Sequence, residues 1–195
     1  MSTHGGSHTV LVDRAFDPLA AATFEELERA LEAEAKQAKA RVEGLSRVFV
    51  MSRGAWVASM TAALLEEHPL PALAFLTLSG EPAFQDDMSH WVTRLEGAPL
   101  DRAAGELRDL LHFIGANAEL AARVDPIGCI EDGDLEDQLA SPLTSEWPGS
   151  DERVLNSDEG QGGRLLIVWL KSVLAVLETA HLHGMAVVHA ADEPY

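Results

Sequence analysis

The segment from Arg47 to Ser79 decides the predicted fold, and it reads RVFVMSRGAWVASMTAALLEEHPLPALAFLTLS. A short apolar run at 48–51 is followed by a polar break, by helix-forming residues at 55–67, and by a second apolar run at 72–78. Uninterrupted apolar runs on either side of a helix are typical of parallel strands that are buried on both faces. The segment therefore predicts a strand–helix–strand unit with a right-handed crossover.

The rest of the chain continues this alternation of helices and strands. Thr23 and Glu26 form a capping box, which marks the start of a helix that Gly44 ends. The other predicted elements are a strand at 9–12, helices at 83–95 and from Asp101, an apolar helix at 164–182 and a strand at 185–189. The order predicts an α/β fold, a small layered domain with a mostly parallel sheet of about four strands and several helices. An α+β fold is the alternative.

Length and composition limit the kinds of protein that this chain can be. The chain has 195 residues and 47% hydrophobic residues, enough for one domain with a proper core. We expect a flexible N-terminus at 1–8 and a single domain at 9–195. No secretory signal or apolar run of about 18 to 20 residues is visible, so no membrane association is expected. The single cysteine, Cys129, excludes an internal disulfide and fits a reducing compartment, so a cytoplasmic location is predicted.

The charge of the chain is its most unusual global property. Asp and Glu number 32 against 14 Lys and Arg, a formal net charge of −18 at pH 7. A chain this acidic is repelled by the phosphates of nucleic acids and by anionic membranes. The charge therefore predicts a partner with a basic surface, or mimicry of a nucleic acid. The alternative is solubility alone, because net charge describes solvation and not fold.

The acidic residues concentrate in the segment 131–159, which holds ten of them and one basic residue, Arg153. With two prolines and several Gly and Ser residues, this segment predicts a long loop or insertion. Trp147 lies within it among acidic and turn residues. An aromatic side chain in such a setting anchors a partner or pins the loop to its own core. The candidate partner-binding residues are Glu131, Asp132, Asp134, Glu136, Asp137 and Trp147.

A second candidate site is the turn Ser52-Arg53-Gly54. It falls at the carboxyl end of a predicted strand and the start of a helix, where α/β folds place their binding sites. Free backbone N–H groups and the guanidinium of Arg53 would favour an anion there. The chain contains no glycine-rich dinucleotide or P-loop fingerprint, and a simple helix cap explains the same residues.

Metal binding and catalysis have little support. Three histidines follow a carboxylate by three residues, namely Asp87 with His90, Asp109 with His112, and Glu178 with His181. This spacing places both groups on one helix face, but the number is close to what chance gives in so acidic a chain. The segment from Asp132 fails as an EF-hand, and no nucleophile elbow occurs. We predict no metal, no cofactor and no catalytic residue.

Two short segments resemble parts of known families. The opening strand and helix, together with the closing HGMAVV, are similar to the ends of barstar-type ribonuclease inhibitors, which are small acidic α/β proteins. The tyrosine- and asparagine-bearing segment of that family is absent. VFVMSRGA followed by EEHP is similar to part of the cofactor-free half of polyketide ketoreductases, at a much shorter spacing. Each resemblance covers a small fraction of the chain and transfers no site residue, so we assign the chain to neither family.

Two functions of different class follow from the sequence. The first is a non-catalytic acidic protein-binding domain, of inhibitor, immunity or adaptor type, that acts on a basic partner. The alternative is a small α/β enzyme, or an anion- or small-molecule-binding domain, with its site at Ser52-Arg53-Gly54.

Overall fold

A computed structural model describes residues 6–41, 49–53, 56–85, 89–120, 139–140, 152–156 and 165–192. Its strands are β1 (Gly6–Val12), β2 (Phe49–Arg53), β3 (Phe84–Gln85), β4 (Ser89–Leu95), β5 (Glu152–Asn156) and β6 (Ala186–Asp192). Its longer helices are α1 (Phe24–Arg41), α2 (Trp56–Glu67), α3 (Gly97–Ala116) and α4 (Leu165–His183). Two 3₁₀ helices, η1 (Pro18–Ala20) and η2 (Pro71–Leu76), connect them.

The described strands form one sheet in the order β3-β4-β6-β1-β2-β5. Strand β1 pairs antiparallel with both β2 and β6, and β4 pairs antiparallel with both β6 and β3. Among the described pairs, β2 with β5 is the parallel one. The prediction of a mostly parallel sheet is therefore wrong, and the alternative, an α+β fold, fits.

The error began in the deciding segment itself, because its second apolar run is not a strand. The residues predicted as a strand at 72–78 form η2, which buries Leu73, Phe75 and Leu76 and begins with Pro71 in its first turn. A short continuous apolar run looks the same in sequence whether it is a buried strand or a buried helical turn. Proline lacks an N–H for a sheet ladder but fits the first turn of a helix, which favours the helical turn here.

The helix predicted at 83–95 is also wrong, since this stretch forms β3 and β4. The apolar stripe Phe84, Met88, Trp91 and Leu95 has helical spacing, but SHWVTRL is rich in aromatic and β-branched residues. Strand β4 pairs with β6 from His90–Asp192 to Leu95–Val187. Long-range pairing of this kind overrides local periodicity.

Other predicted elements are confirmed. Helix α1 begins where predicted: the Thr23 hydroxyl accepts a hydrogen bond from the Glu26 N–H at 3.2 Å, and the Glu26 carboxylate accepts one from the Ala22 N–H at 2.9 Å. Helix α4 ends at Gly184, which has a φ of +62° that suits glycine. The Met185 N–H donates to the Ala180 carbonyl at 2.9 Å, which closes a Schellman motif.

The central strands β1 and β6 are covered on both faces, and Val10, Leu11 and Val12 are fully buried. Side chains alternate between the faces along each strand. On the face that we call the α1 face, the ring of Phe24 from α1 stacks on His90 of β4. On the opposite face, the α4 face, Trp169 of α4 lies edge-on to His189 of β6. Helix α3 packs beside α4.

Candidate functional site

Two histidines and two carboxylates meet on the α1 face, and we call His8, Glu28, His90 and Asp192 the histidine–carboxylate cluster. Nε2 of His8 lies 3.1 Å from Oε1 of Glu28, and Nδ1 of His90 lies 3.2 Å from Oδ1 of Asp192. The four residues come from β1, α1, β4 and β6. The cluster therefore joins three strands of the sheet to the helix that covers them.

Phe24 occupies the middle of this cluster. Its ring is nearly parallel to that of His90, with centroids 4.0 Å apart, and it meets His8 edge-on at 6.5 Å. A third aromatic ring, Phe84 of β3, also lies edge-on to it at 6.4 Å. Phe24 is buried, so it excludes water from one side of both imidazoles. Electrostatic interactions strengthen where water is excluded.

The cluster is largely buried, but its side chains keep a small exposed fraction. The side chains of His90 and Asp192 are 6% and 17% exposed. Burial raises the pKa of the Asp192 carboxyl above its ordinary value, and the hydrogen bond and positive charge of His90 oppose this rise. The charge of Glu28 raises the pKa further while that of His8 lowers it, so the four groups act on one another.

The α4 face holds a third histidine in a different setting. His189 is buried, with Nδ1 2.8 Å from the Thr9 hydroxyl and with Phe75 and Trp169 edge-on to its ring. No carboxylate is found beside it among the described contacts. Complete burial lowers the pKa of His189 from 6.5 to about 3, and the charge of His8 contributes to this lowering. At neutral pH His189 is an uncharged core residue.

A groove of about 700 Å³ lies between α1 and the β1–α1 connection, and we call it the acidic groove. Its lining combines four carboxylates, one guanidinium and an apolar floor: Asp13, Asp17, Glu26, Glu34, Arg41, Ala15, Phe16, Pro18, Ala20, Ala21, Leu27 and Ala30. Leu19, in the same connection, is 65% exposed. The groove therefore combines a small apolar floor with a ring of acidic side chains.

The carboxylates of the acidic groove are held in place by the backbone. Asp13 accepts a hydrogen bond from the Ala15 N–H at 2.9 Å, and Asp17 accepts one from the Leu19 N–H at 3.0 Å. Glu34 accepts the N–H of Asp13 at 2.9 Å. The hydrogen bond from the Ala15 N–H, together with the ion pair to Arg41, lowers the pKa of Asp13. A carboxylate has about four acceptor positions, so one such bond leaves capacity for a partner.

The anion site predicted at Ser52-Arg53-Gly54 falls at the end of β2. Ser52 and Arg53 are the last two residues of that strand, and Gly54 lies outside the described residues. By register Ser52 is opposite Ser7 and Arg53 is opposite Gly6. By register, Arg53 therefore lies at the same end of the sheet as Asp192, where β6 ends, and as the start of β4.

The predicted partner-binding residues Glu131, Asp132, Asp134, Glu136, Asp137 and Trp147 lie outside the described residues. Within the segment predicted as an acidic loop, the structure describes 139–140 and the strand β5. Cys129 also lies outside.

Of the three carboxylate–histidine spacings in the sequence, that of Asp87 with His90 involves Asp87, which lies outside the described residues. His90 pairs with Asp192 of another strand, and His181 of α4 pairs with Asp101 of α3 at 2.5 Å. Glu178 forms an ion pair with Arg108 at 2.9 Å. Among the described residues, no group of three or more His, Cys, Asp or Glu side chains is arranged to hold a metal ion.

Sequence reasoning missed the histidine–carboxylate cluster and the acidic groove. His8 and Asp192 are 184 positions apart and meet because β1 and β6 are neighbours, which the predicted parallel sheet did not provide. The one usable signal was the position of Asp13, Asp17, Glu26 and Glu34 around a recognisable helix start. Of these residues, only Glu26 entered the prediction, as part of the capping box with Thr23.

Comparisons with protein-family models, with curated proteins and with solved structures found no match for this chain. None of the described helices is both long enough and apolar enough to cross a membrane. The fold and the sites therefore define the class of protein as an acidic α+β domain.

Proposed function

We propose that this protein is a non-catalytic acidic binding domain, of inhibitor, immunity or adaptor type, that binds a basic segment of a partner protein. The observation that carries the proposal is the acidic groove, in which four carboxylates and one guanidinium, a net charge of −3, surround an apolar floor. The net charge of −18 supports it, because a cationic partner is drawn to such a chain from a distance.

The chemistry of the groove defines the partner. Its carboxylates suit Arg or Lys side chains, and Phe16 and the exposed Leu19 suit an apolar side chain between them. The ion pair between Asp13 and Arg41 is an internal example of a guanidinium received by this surface. We therefore assign to the groove a short amphipathic segment in which basic and apolar residues alternate.

Preorganisation favours binding at this surface. The carboxylates of Asp13, Asp17 and Glu34 are already fixed by backbone hydrogen bonds, so little side-chain freedom is lost when a partner binds. Charges at an interface rim act mainly on the association rate and on its salt dependence. We expect binding that weakens steeply as salt increases.

The test is titration of a labelled peptide of alternating Arg and Leu residues, followed by fluorescence anisotropy at about 50 mM and about 300 mM salt. The groove variant combines Asp13→Asn, Asp17→Asn, Glu26→Gln and Glu34→Gln. These amides keep the shape and one acceptor oxygen of each side chain, so the capping bonds survive. Loss of at least about tenfold in affinity, or about 1.4 kcal/mol, is expected at low salt.

A matched control changes the net charge by the same amount elsewhere on the exposed surface, through Glu66→Gln, Glu67→Gln, Asp109→Asn and Glu119→Gln. The proposal requires this control to lose less than about threefold, because screening weakens distant charges. Equal losses in both variants would contradict it and would reduce the acidity of the chain to a solubility property.

The acidic segment is a separate part of the same proposal. We expect a variant of the acidic segment to bind the peptide more weakly as well. This variant combines Glu131→Gln, Asp132→Asn, Asp134→Asn, Glu136→Gln, Asp137→Asn and Trp147→Ala. If only this variant has an effect, the partner binds the segment and not the groove.

A second candidate function is a binding site for an anion or small molecule at Ser52-Arg53-Gly54. The observation that favours it is the position of Arg53, by register, at the same sheet edge as the His90–Asp192 pair. A guanidinium forms charge-assisted hydrogen bonds with anions such as phosphate. Isothermal titration with inorganic phosphate is the test, and unchanged heats after Arg53→Ala would end this candidate.

A further inference from the structure

The acidic groove already contains one guanidinium, that of Arg41, which is the last residue of α1. Its Nη1 contacts Oδ2 of Asp13, the residue that follows β1. The other terminal nitrogen, Nη2, lies 3.4 Å from Oε1 of Gln37, one turn earlier on the same helix. The groove is therefore partly filled by a side chain of the same chemistry that we assign to its partner.

The two carboxylate oxygens of Asp13 have different kinds of partner. Oδ1 accepts a hydrogen bond from the Ala15 N–H at 2.9 Å, and the Asp13 N–H donates to Glu34 at 2.9 Å, so contacts of the backbone fix this carboxylate. Oδ2 accepts from the guanidinium of Arg41, which ends a long flexible side chain. When Arg41 leaves, Oδ2 therefore keeps its position and gains free acceptor capacity.

We propose that Asp13 is the arginine-receiving subsite of the acidic groove, and that Arg41 fills this subsite until an arginine of the partner takes its place. This inference rests on the proposed function, because it names the chemistry and the regulation of the same groove. Arg41 is then an internal competitor of the partner. Its removal should strengthen binding, whereas removal of a residue that builds the site should weaken it.

The exposure of the ion pair makes the exchange easy. The side chains of Arg41 and Asp13 are 52% and 41% exposed, so water reaches both of them. Exposed ion pairs contribute little, because water screens them and because two side chains must be ordered. An incoming guanidinium forms the same charge-assisted hydrogen bond with Asp13 that Arg41 gives up. The competitor therefore reduces the affinity for the partner without blocking the groove.

Arg29 provides a matched control on the same helix. Its side chain is exposed, and its Nε donates to the Glu25 carbonyl of its own helix at 3.3 Å. The described lining of the groove does not include it. Arg29→Gln and Arg41→Gln thus make the same chemical change and the same change in net charge, and only the second one frees Asp13. Circular dichroism checks that both variants keep the helices.

Titration of the labelled peptide of alternating Arg and Leu residues, at about 50 mM salt, tests the inference by a double-mutant cycle. Arg41→Gln should raise the affinity about two- to fivefold, the range that the loss of one exposed ion pair allows. Arg29→Gln should raise it less than about 1.3-fold, because salt screens distant charges. In a protein that already carries Asp13→Asn, the added change Arg41→Gln should have no effect beyond about 1.3-fold.

The outcomes separate this inference from the function on which it rests. If the unaltered protein binds the peptide through the groove but Arg41→Gln does not bind it at least about twofold more tightly, the inference is overturned and the function stands. A gain that Arg29→Gln equals, or that persists with Asp13→Asn, also overturns the inference, since it would come from net charge alone. If neither the unaltered protein nor Arg41→Gln binds the peptide, the inference and the proposed function are both overturned.

Discussion

The two faces of the sheet each hold buried histidine, and they treat it in opposite ways. On the α1 face, His8 and His90 lie 3.1 Å and 3.2 Å from carboxylate oxygens. On the α4 face, His189 lies 2.8 Å from a hydroxyl and is surrounded by aromatic rings. The same residue type in one sheet thus lies beside carboxylates on one face and beside a hydroxyl and aromatic rings on the other. The two faces differ in the side chains that contact each imidazole, and the positions of the histidines in the strands do not explain this difference.

The buried, neutral state of His189 makes the fold sensitive to acid. Because the pKa of His189 is about 3 in the folded chain and about 6.5 when unfolded, the unfolded chain binds more protons between these values. The stability that the neutral His189 contributes is present above about pH 6.5 and is lost as the pH falls toward 3.

The largest expected effect comes from removing the aromatic ring at the centre of the α1 face. Phe24→Ala removes the ring that stacks on His90 and leaves a cavity between α1 and the sheet. Such a truncation of a buried aromatic residue costs about 3 to 5 kcal/mol of unfolding free energy. Urea denaturation measures it, and Leu19→Ala, at an exposed position, should cost less than about 0.5 kcal/mol. Similar costs for both variants would contradict the packing described for α1.

The next effect is the acid sensitivity of the α4 face. Lowering the pH from about 7.5 to about 5 should cost about 2 kcal/mol through His189 alone, since each pH unit below 6.5 costs about 1.4 kcal/mol. The double change Thr9→Val with His189→Leu removes both members of the hydrogen-bonded pair. Its unfolding free energy should fall by about 2 kcal/mol less than that of the unaltered protein over the same interval. An equal fall in both would place the acid sensitivity elsewhere.

A smaller effect tests the carboxylate of the α1 face. Because burial raises the pKa of Asp192 above 3.8, its contribution to stability is fully present below that value and is lost as the pH rises through the raised pKa. The unfolding free energy of Asp192→Asn, relative to that of the unaltered protein, should therefore be higher at about pH 7.5 than at about pH 4. Thermal unfolding at the two pH values measures this. The reverse order would show that His90 stabilises the ionised carboxylate by more than burial destabilises it.

The smallest effect belongs to the exposed pair of His181 and Asp101. Its side chains are 66% and 50% exposed, so water screens their interaction. We expect His181→Gln to change the unfolding free energy by less than about 0.5 kcal/mol at any pH between about 5 and 8. Denaturant unfolding of this variant checks the value. A cost comparable to that of the cluster variants would remove the distinction between enclosed and exposed pairs.

The sequence predicted the helices better than the sheet. The capping box at Thr23, the glycine after α4 and the helix formers of α2 are local signals, and each marks an element that the structure contains. Strand direction depends on which distant strand becomes a neighbour, and the apolar runs carry no information about it. The pairing of β1 between β2 and β6 made the sheet mainly antiparallel, against the prediction.

The candidate sites were predictable only where their chemistry is local. The carboxylates of the acidic groove follow one another between Asp13 and Glu34, so a sequence reader can suspect a negative surface there. The histidine–carboxylate cluster needs residues from both ends of the chain. The ring of His90 meets Asp192 across the β4–β6 pairing, a contact that its position in the sequence does not indicate.

The contrast between the faces is tested most directly by following the imidazole signals of the histidines by NMR from about pH 8 to about pH 4.5. We predict that the His189 signals stay at their neutral positions throughout, because its pKa of about 3 lies below the interval. Titration of His189 near pH 6.5 in the folded protein would contradict the account.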